Sequence, residues 1–366
     1  MLTVLQIMDY AAPYKGNFIN SIERLEDHLN KVEGRLIYLL PDKAACTDWA
    51  SDLIDKGKRV YFIDYIFFSK KIKLKNVFSI ISIIRKEKID IIHTHFVFYN
   101  YTLFLLKKIF LRKIRIIGHF HNHFNPPNNY YRYFKIQVTD STFNQIIGVS
   151  KSVAESVINT GINSNKVSFI PNAIDFERLN HFVPISLKTN DSTQKVVLIF
   201  GWPYLRKGVD LAIDSIKIVR KSGLDVILVI SLPGGKEQIV QKIAGQSGNI
   251  PEWIRILDSR NDVGTYYNAA DIFLSAGREE GMNYSVIEAA YETPMVIISN
   301  IPGNPQEIPE LFKFELENVR QLSELIITVL SKSEDEKKRI NNIQRNFVLK
   351  KYDLDIWCEE IINHYN

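Results

Sequence analysis

Residues 271–290 read Asp-Ile-Phe-Leu-Ser-Ala-Gly-Arg-Glu-Glu-Gly-Met-Asn-Tyr-Ser-Val-Ile-Glu-Ala-Ala. The apolar run 271–275 has the length and side chains of a buried strand, and from Tyr284 the pattern turns helical. Glycine punctuates the turn between them. Strand, tight turn and helix make one half of a βαβ unit, which commits the surrounding chain to a parallel sheet. Glu280 and Glu288 bracket the turn and the helix start. Turn amides and a helix N-terminus favour phosphate oxygens, and carboxylates accept bonds from ligand hydroxyls. Glu279, adjacent and also acidic, has no assignable part.

The same alternation extends in both directions. Strands are expected at 3–8, 35–40, 60–64, 90–95, 114–121, 145–149 and 167–170, then at 195–200, 225–230, 254–257, 271–275 and 295–299. Amphipathic helices are expected at 18–31, 77–88, 152–160, 208–222 and 284–292. Ser152-Val-Ala-Glu155 has capping-box spacing. The polar, aperiodic stretch 184–194 reads as a linker. The expectation is therefore an α/β protein of two doubly wound domains, 1–183 and 184–352. A final amphipathic helix, 353–366, has an apolar face of Leu354, Trp357, Ile361 and Tyr365. In such sheets, ligands bind at the carboxyl ends of the strands.

The 366 residues suit two domains better than one core. No apolar run approaches the ~18 residues of a membrane span. The start, Met1-Leu-Thr-Val-Leu-Gln-Ile-Met8, reads as a first strand and not as a signal peptide, so a cytoplasmic protein is expected. Cys46 and Cys358 are expected to be free thiols. Net charge is +5, distributed unevenly: residues 1–180 carry 25 basic and 16 acidic side chains, the remainder 21 and 25. The basic excess gathers in Lys70-Lys-Ile-Lys-Leu-Lys75 and in the run Lys107 to Arg115. Solvated helix faces and a surface for anionic lipid headgroups are both open readings. No recognition motif supports nucleic acid as a partner.

Three further loops follow strands. Tyr14-Lys-Gly-Asn17 offers Gly16 for close backbone approach at a helix start. Gly118-His-Phe-His-Asn-His123 places His119, His121 and His123 at alternating positions. A metal site, a hydrogen bond to a substrate hydroxyl and a structural role are all open there, although no carboxylate or thiolate completes a zinc set. His93 and His95 end the preceding strand. Gly201-Trp-Pro-Tyr-Leu-Arg-Lys-Gly208 sets Arg206 and Lys207 at a glycine before a helix, which makes an anion site.

Taken in order, these segments resemble the family 4 glycosyltransferases, retaining enzymes of the GT-B fold. The resemblance rests on Asp90-Ile-Ile-His-Thr-His95, Ile146-Ile-Gly-Val-Ser-Lys151 and Val167-Ser-Phe-Ile-Pro-Asn-Ala-Ile-Asp175. It rests also on Arg206-Lys-Gly208 and on Glu280-x7-Glu288, with Gly281 after the first glutamate and Pro294 opening the next strand. It implies two Rossmann-like domains facing a central cleft, the first for the acceptor and the second for a nucleotide-sugar donor, UDP-linked by family precedent. The last helix, 353–366, would cross back to the first domain. Lys207 and Arg206 would hold the diphosphate, with backbone amides at Gly16 and from Gly281 and Met282 through Asn283, Tyr284 and Ser285. Glu288 would bind the ribose hydroxyls. Glu280 would sit by the transferred sugar, and His121, with His95 and Asn122, by the sugar or acceptor. No metal and no cofactor beyond the donor are implied. The implied activity is transfer to a glycan, lipid-linked or protein acceptor in surface polysaccharide or glycoconjugate synthesis, with peripheral contact to an anionic membrane. The alternatives are a sugar-phosphate acceptor and a catalytically silent partner of an active transferase. Two departures stand out: Trp202 replaces a usual arginine, and Lys15-Gly16 replaces a pair of glycines.

Overall fold

The computed structural model describes residues 1–64, 74–96, 101–110, 113–126, 128–188, 193–234, 237–245, 248–292 and 295–365. Lys70, Lys71 and Lys73 of the basic run, Arg112 and Pro294 lie outside the described residues. The chain forms two compact units: Met1–Ala173 with Leu354–Asn366, and Ile174–Asp353.

The first unit is built on seven strands: β1 (Thr3–Met8), β2 (Arg35–Pro41), β3 (Val60–Ile63), β4 (Ile91–His95), β5 (Arg115–Phe120), β6 (Gln145–Gly148) and β7 (Val167–Phe169). All pair in parallel, in the order β3-β2-β1-β4-β5-β6-β7. The order reverses between β1 and β4, and this switch point opens a crevice at the strand ends. One sheet face carries Val4, Met8, Tyr38, Ile91, Ile117 and Ile147. Phe18, Ile19, Ile22 and Leu25 of helix Gly16–Lys31 cover it, together with Trp357, Cys358, Ile361 and Tyr365 from the end of the chain. Both Arg24 and His28 reach Asp355, at 2.6 and 3.0 Å, which fixes helix Leu354–Asn363 along helix Gly16–Lys31.

The second unit repeats the plan with β8 (Lys195–Phe200), β9 (Val226–Leu232), β10 (Ile254–Asp258), β11 (Ile272–Ser275), β12 (Met295–Ser299) and β13 (Phe312–Phe314). Their parallel order is β10-β9-β8-β11-β12-β13, with the switch point between β8 and β11. Alternation along β8 sends Val197 and Ile199 to one face, under helices Val209–Lys221 and Val319–Leu330. Val196 and Leu198 go to the other face, under helix Tyr284–Glu292. Strands buried on both faces read as continuous apolar runs, which is why β8, β9, β11 and β12 stand out in the sequence.

Three expectations need correction. The units divide at Ala173 and Ile174, not at 183. Ile174, Leu179 and Leu187 are buried in the second core, and the Ile174 amide donates to the Tyr352 carbonyl at 3.1 Å, so apolar burial and not polarity sets the division. The expected linker is thus partly claimed by the second unit, while residues 189–192 lie outside the described residues. Helix Lys151–Ile158 is capped by Ser150, whose Oγ accepts from the Val153 amide, and not by Ser152. Strand β13 has no counterpart among the expected strands.

Candidate active site

Two loops meet at the switch point of the second sheet. Gly201 to Gly208 leads from β8 into helix Val209–Lys221, and Ala276 to Asn283 leads from β11 into helix Tyr284–Glu292. Their backbones are in near contact. A Cβ on Gly208, whose φ is +67°, would lie 2.0 Å from the Ala276 carbonyl oxygen, so only glycine fits. A Cβ on Gly303 would lie 1.8 Å from the Glu280 carbonyl oxygen, so the chain after β12 presses equally closely on the second loop. Arg278 ties the loops together. Its amide donates to the Arg206 carbonyl at 2.8 Å, and its guanidinium forks onto Asp210 at 2.9 and 2.8 Å and onto Glu317 at 2.6 and 2.9 Å. The two carboxylates raise its already high pKa further.

This frame brings Lys207 to Glu280, Nζ to Oε1 2.5 Å, with the carboxylate buried and the ammonium mostly so. Glu279 faces solvent, so the adjacent acids have different environments. Glu288 is buried on the following helix. Arg178 pairs with its Oε1, and the Tyr267 hydroxyl donates to its Oε2 at 2.9 Å. Burial and the adjacent carboxylate raise the Tyr267 pKa well above its ordinary value, so this phenol remains a donor. A carboxylate has about four lone-pair sites, so Glu288 retains acceptor capacity for further hydroxyls. The Asn283 amide, expected at a phosphate, donates instead to the Gly303 carbonyl at 3.1 Å. Its side chain bonds Ser275 Oγ at 2.8 Å and Asn304 Oδ1 at 3.0 Å, which makes Asn283 a brace between loops. Gly281 lies in the turn. Met282 and Tyr284 pack half-buried on the core, and the Ser285 carbonyl accepts from Tyr267 at 3.2 Å. Arg206 is half-buried and Trp202 exposed.

The first unit carries a separate cluster at its own switch point. Register sets Gln6 beside His93 and His95 beside His119, so their side chains share the face that the end of the chain covers. Gln6 Nε2 donates to Tyr365 Oη at 2.9 Å, and Tyr365 Oη lies 2.8 Å from His93 Nδ1. Gln6 Oε1 lies 2.8 Å from His95 Nε2, and His95 Nδ1 lies 3.1 Å from His121 Nε2. The donors then follow in sequence. Because Gln6 Oε1 can only accept, His95 Nε2 donates and His95 Nδ1 accepts. His121 Nε2 must therefore carry the proton, and His121 Nδ1 keeps a lone pair. Burial pushes the pKa values of His93, His95, His119 and His121 down, that of His119 to about 3, so all four are neutral near pH 7. Phe96 stacks on His121 with ring centroids 4.1 Å apart.

Asn122 is exposed beside this cluster, and Gly16 begins its helix with φ +60°. His123 does not join His119 and His121 but lies 3.2 Å from Ser152 Oγ, so the histidine trio read from spacing is not assembled. Among the described residues, the group with ligand atoms within 4.8 Å of one another is His93, His95 and His119. A tetrahedral zinc site needs nitrogens about 3.3 Å apart. Both His95 nitrogens and His93 Nδ1 have hydrogen-bond partners, whereas His93 Nε2 and both His119 nitrogens are buried without one among the described residues, so hydrogen bonding fixes His95 and one edge of His93 but leaves His119 unaccounted for.

Arg178, Tyr267, Gln6 and Tyr365 are distant in sequence from the residues they serve, and no spacing points to them. Arg278 lies within the 271–290 stretch, where its charge between a glycine and two acids is the available signal.

The family described as Glycosyltransferase Family 4 matches residues 41–178, and that described as Glycosyl transferases group 1 matches residues 187–346. The chain is 22% identical over 346 residues to UDP-Gal:alpha-D-GlcNAc-diphosphoundecaprenol alpha-1,3-galactosyltransferase of Escherichia coli, covering 86% of this chain and 87% of the relative. It is 23% identical over 279 residues to the capsular polysaccharide biosynthesis glycosyltransferase CapH of Staphylococcus aureus, covering 73% of this chain and 74% of that protein. Its fold matches Anabaena Alr3699/HepE in complex with UDP at a TM-score of 0.75 and 15% identity, covering 100% of this chain and 99% of that one. Two Rossmann-like parallel sheets, and a family match on each half in chain order, lead to one assignment: the chain belongs to the family 4 glycosyltransferases and has their GT-B domains.

Proposed function

We propose that this protein moves a sugar, with retention at the anomeric carbon, from a UDP-linked donor to a lipid-linked glycan in surface polysaccharide or glycoconjugate synthesis. The observation that carries this reading is the pairing of Lys207 with Glu280 at the second switch point, one helix start away from buried Glu288. The diphosphate takes Lys207 from Glu280, and Arg206 adds a second cation. Glu280 then turns to the hydroxyls of the transferred sugar, while Glu288, held by Arg178 and Tyr267, receives the ribose hydroxyls. The acceptor oxygen bonds to the anomeric carbon as the bond to the diphosphate oxygen breaks. The acceptor proton passes to the departing phosphate on the same face. Cationic side chains and helix ends offset the leaving charge, so no metal is required.

In the first unit, Gly16 offers a backbone amide at its helix start, and His121 Nδ1 and Asn122 accept from or donate to sugar or acceptor hydroxyls. His95 acts through His121. The UDP of the Anabaena complex and the diphosphoundecaprenol in the Escherichia coli relative's name support the choice of donor and acceptor class. No described helix is long and apolar enough to cross a membrane.

A panel of nucleotides and nucleotide sugars, read by thermal shift and by donor hydrolysis with EDTA present, tests the reading. UDP should raise the melting temperature, and a UDP-sugar should turn over. A response to another nucleotide alone, or activity lost in EDTA and restored by a divalent ion, would overturn those parts of it.

A further inference from the structure

The acceptor side of the first unit has a feature that neither the fold nor the proposed chemistry requires. The loop after β5 runs into helix Arg132–Thr142 through Tyr130-Tyr-Arg-Tyr-Phe-Lys135. Four of these six side chains are aromatic and exposed: Tyr130 at 93%, Tyr131 at 61%, Tyr133 at 72% and Phe134 at 50%. Soluble surfaces rarely gather large apolar rings in this way without a partner.

The segment is fixed in place. Arg132 Nη1 donates to the Pro126 carbonyl at 2.8 Å, and the Tyr131 amide donates to Asn129 Oδ1 at 3.1 Å. Tyr130 and Tyr131 meet edge to face at 5.6 Å. Phe134 stacks at 5.9 Å and 15° on Tyr101, which begins the neighbouring helix Tyr101–Ile109. The rings therefore form an ordered platform shared by two packed helices. The loop leaves the carboxyl end of β5, the same edge that carries His121.

Charge selects the occupant. Residues 91–139 contain no aspartate or glutamate, and Arg132 and Lys135 stand among the rings, whereas Lys107 and Arg115 are held at the amino end of β5, the opposite edge. A protein partner of mixed charge gives no reason for an acid-free span of this length. Tyrosine and phenylalanine rings flanked by cations suit the headgroup layer of an anionic bilayer, where the ring body is apolar, the hydroxyl stays wet and the cations meet phosphate.

We infer that Tyr130, Tyr131, Tyr133 and Phe134, flanked by Arg132 and Lys135, dock this protein on anionic lipid headgroups and bring the His121 edge to the membrane surface. The inference rests on the lipid-linked acceptor proposed above. Donor binding is tested separately, so the two can fail independently.

The test uses the full chain with Tyr130→Trp as a fluorescent reporter. Vesicles of phosphatidylcholine with an equal share of phosphatidylglycerol should shift its emission to the blue, and vesicles of phosphatidylcholine alone should do so much less. Replacing Tyr130, Tyr131, Tyr133 and Phe134 together by serine should lower co-sedimentation with the anionic vesicles at least ten-fold. The melting temperature and its rise with UDP should stay unchanged. Unshifted emission with every vesicle, or undiminished co-sedimentation of the folded quadruple variant, would overturn the docking surface. So would an equal shift caused by a soluble glycan without lipid, which would make the platform a sugar-stacking surface. If UDP gives no thermal shift while vesicle binding persists, the docking surface stands and the donor assignment falls.

Discussion

Lys207 Nζ stands 2.5 Å from Glu280 Oε1, a cation from the loop after β8 against a carboxylate from the loop after β11. Removing either charge alone leaves the other buried and unpaired, so stability and catalysis must be read apart. Lys207→Ala should lower kcat by about 2–4 kcal/mol of transition-state stabilisation, the range for loss of one anion-stabilising donor. It should also lower the melting temperature. Adding Glu280→Gln should restore the melting temperature and leave the rate low. An unchanged rate in Lys207→Ala would move the diphosphate to Arg206.

The glycines at the close approaches offer a second test. Gly303→Ala and Gly208→Ala force backbone apart where a Cβ would lie 1.8 and 2.0 Å from a carbonyl oxygen. Each should destabilise by about 1–3 kcal/mol, the usual range for overpacking. Both should weaken UDP binding more than Gly57→Ala, where no atom lies within 4 Å of the added carbon and the φ of +74° is the sole source of strain. Urea midpoints and calorimetric UDP titration measure the two effects, and equal behaviour of all three variants would refute the frame.

Acid should weaken the first unit. Burial holds His93, His95, His119 and His121 below their ordinary values, His119 at about 3. In the unfolded chain they titrate near ~6.5. Between those values the unfolded chain binds more protons, so stability falls as pH falls. The histidine contribution is full above ~6.5, and for His119 the loss levels off near pH 3. Each contributes about 1.4 kcal/mol per pH unit within its window. Urea midpoints between about pH 7 and about pH 5 should show the decline, and His119→Gln should make it shallower. A flat profile would mean that the cluster is hydrated and charged.

Tyr365→Phe removes the hydroxyl that fixes Gln6. With the anchor gone the Gln6 amide can turn over, and the donor order through His95 to His121 can reverse. Nitrogen-15 shifts of His121 should show Nε2 protonated in the parent protein and a mixture of tautomers in the variant. An unchanged His121 signal would show that Gln6 is held by other contacts.

Much of this architecture is legible in sequence. Strands β8 and β12 can be read to the residue because strands buried on both faces leave uninterrupted apolar runs. Lys207, Glu280 and Glu288 stand out because glycine turns and helix starts mark them locally. Helix Arg132–Thr142 escapes such a reading, since its exposed Tyr130–Phe134 start breaks the amphipathic pattern. The partners of Glu288 are hidden for another reason: Arg178 and Tyr267 reach it across 110 and 21 positions, and only the topology brings them together. The same holds for Gln6 and Tyr365, separated by 359 positions.

That last separation bears on how the protein is made. Residues 174–353 are contiguous, so the second unit can fold as soon as its own chain has left the ribosome. The first unit, although its strands come earlier in the chain, lacks Trp357, Ile361 and Tyr365 until residues 174–353 have been made. Throughout that interval helix Gly16–Lys31 alone can cover the face around Met8 and Ile117, and Gln6 and His93 lack the Tyr365 hydroxyl. The unit whose strands come first is completed after the second, and the histidine edge cannot take its final form before residues 174–353 have been made.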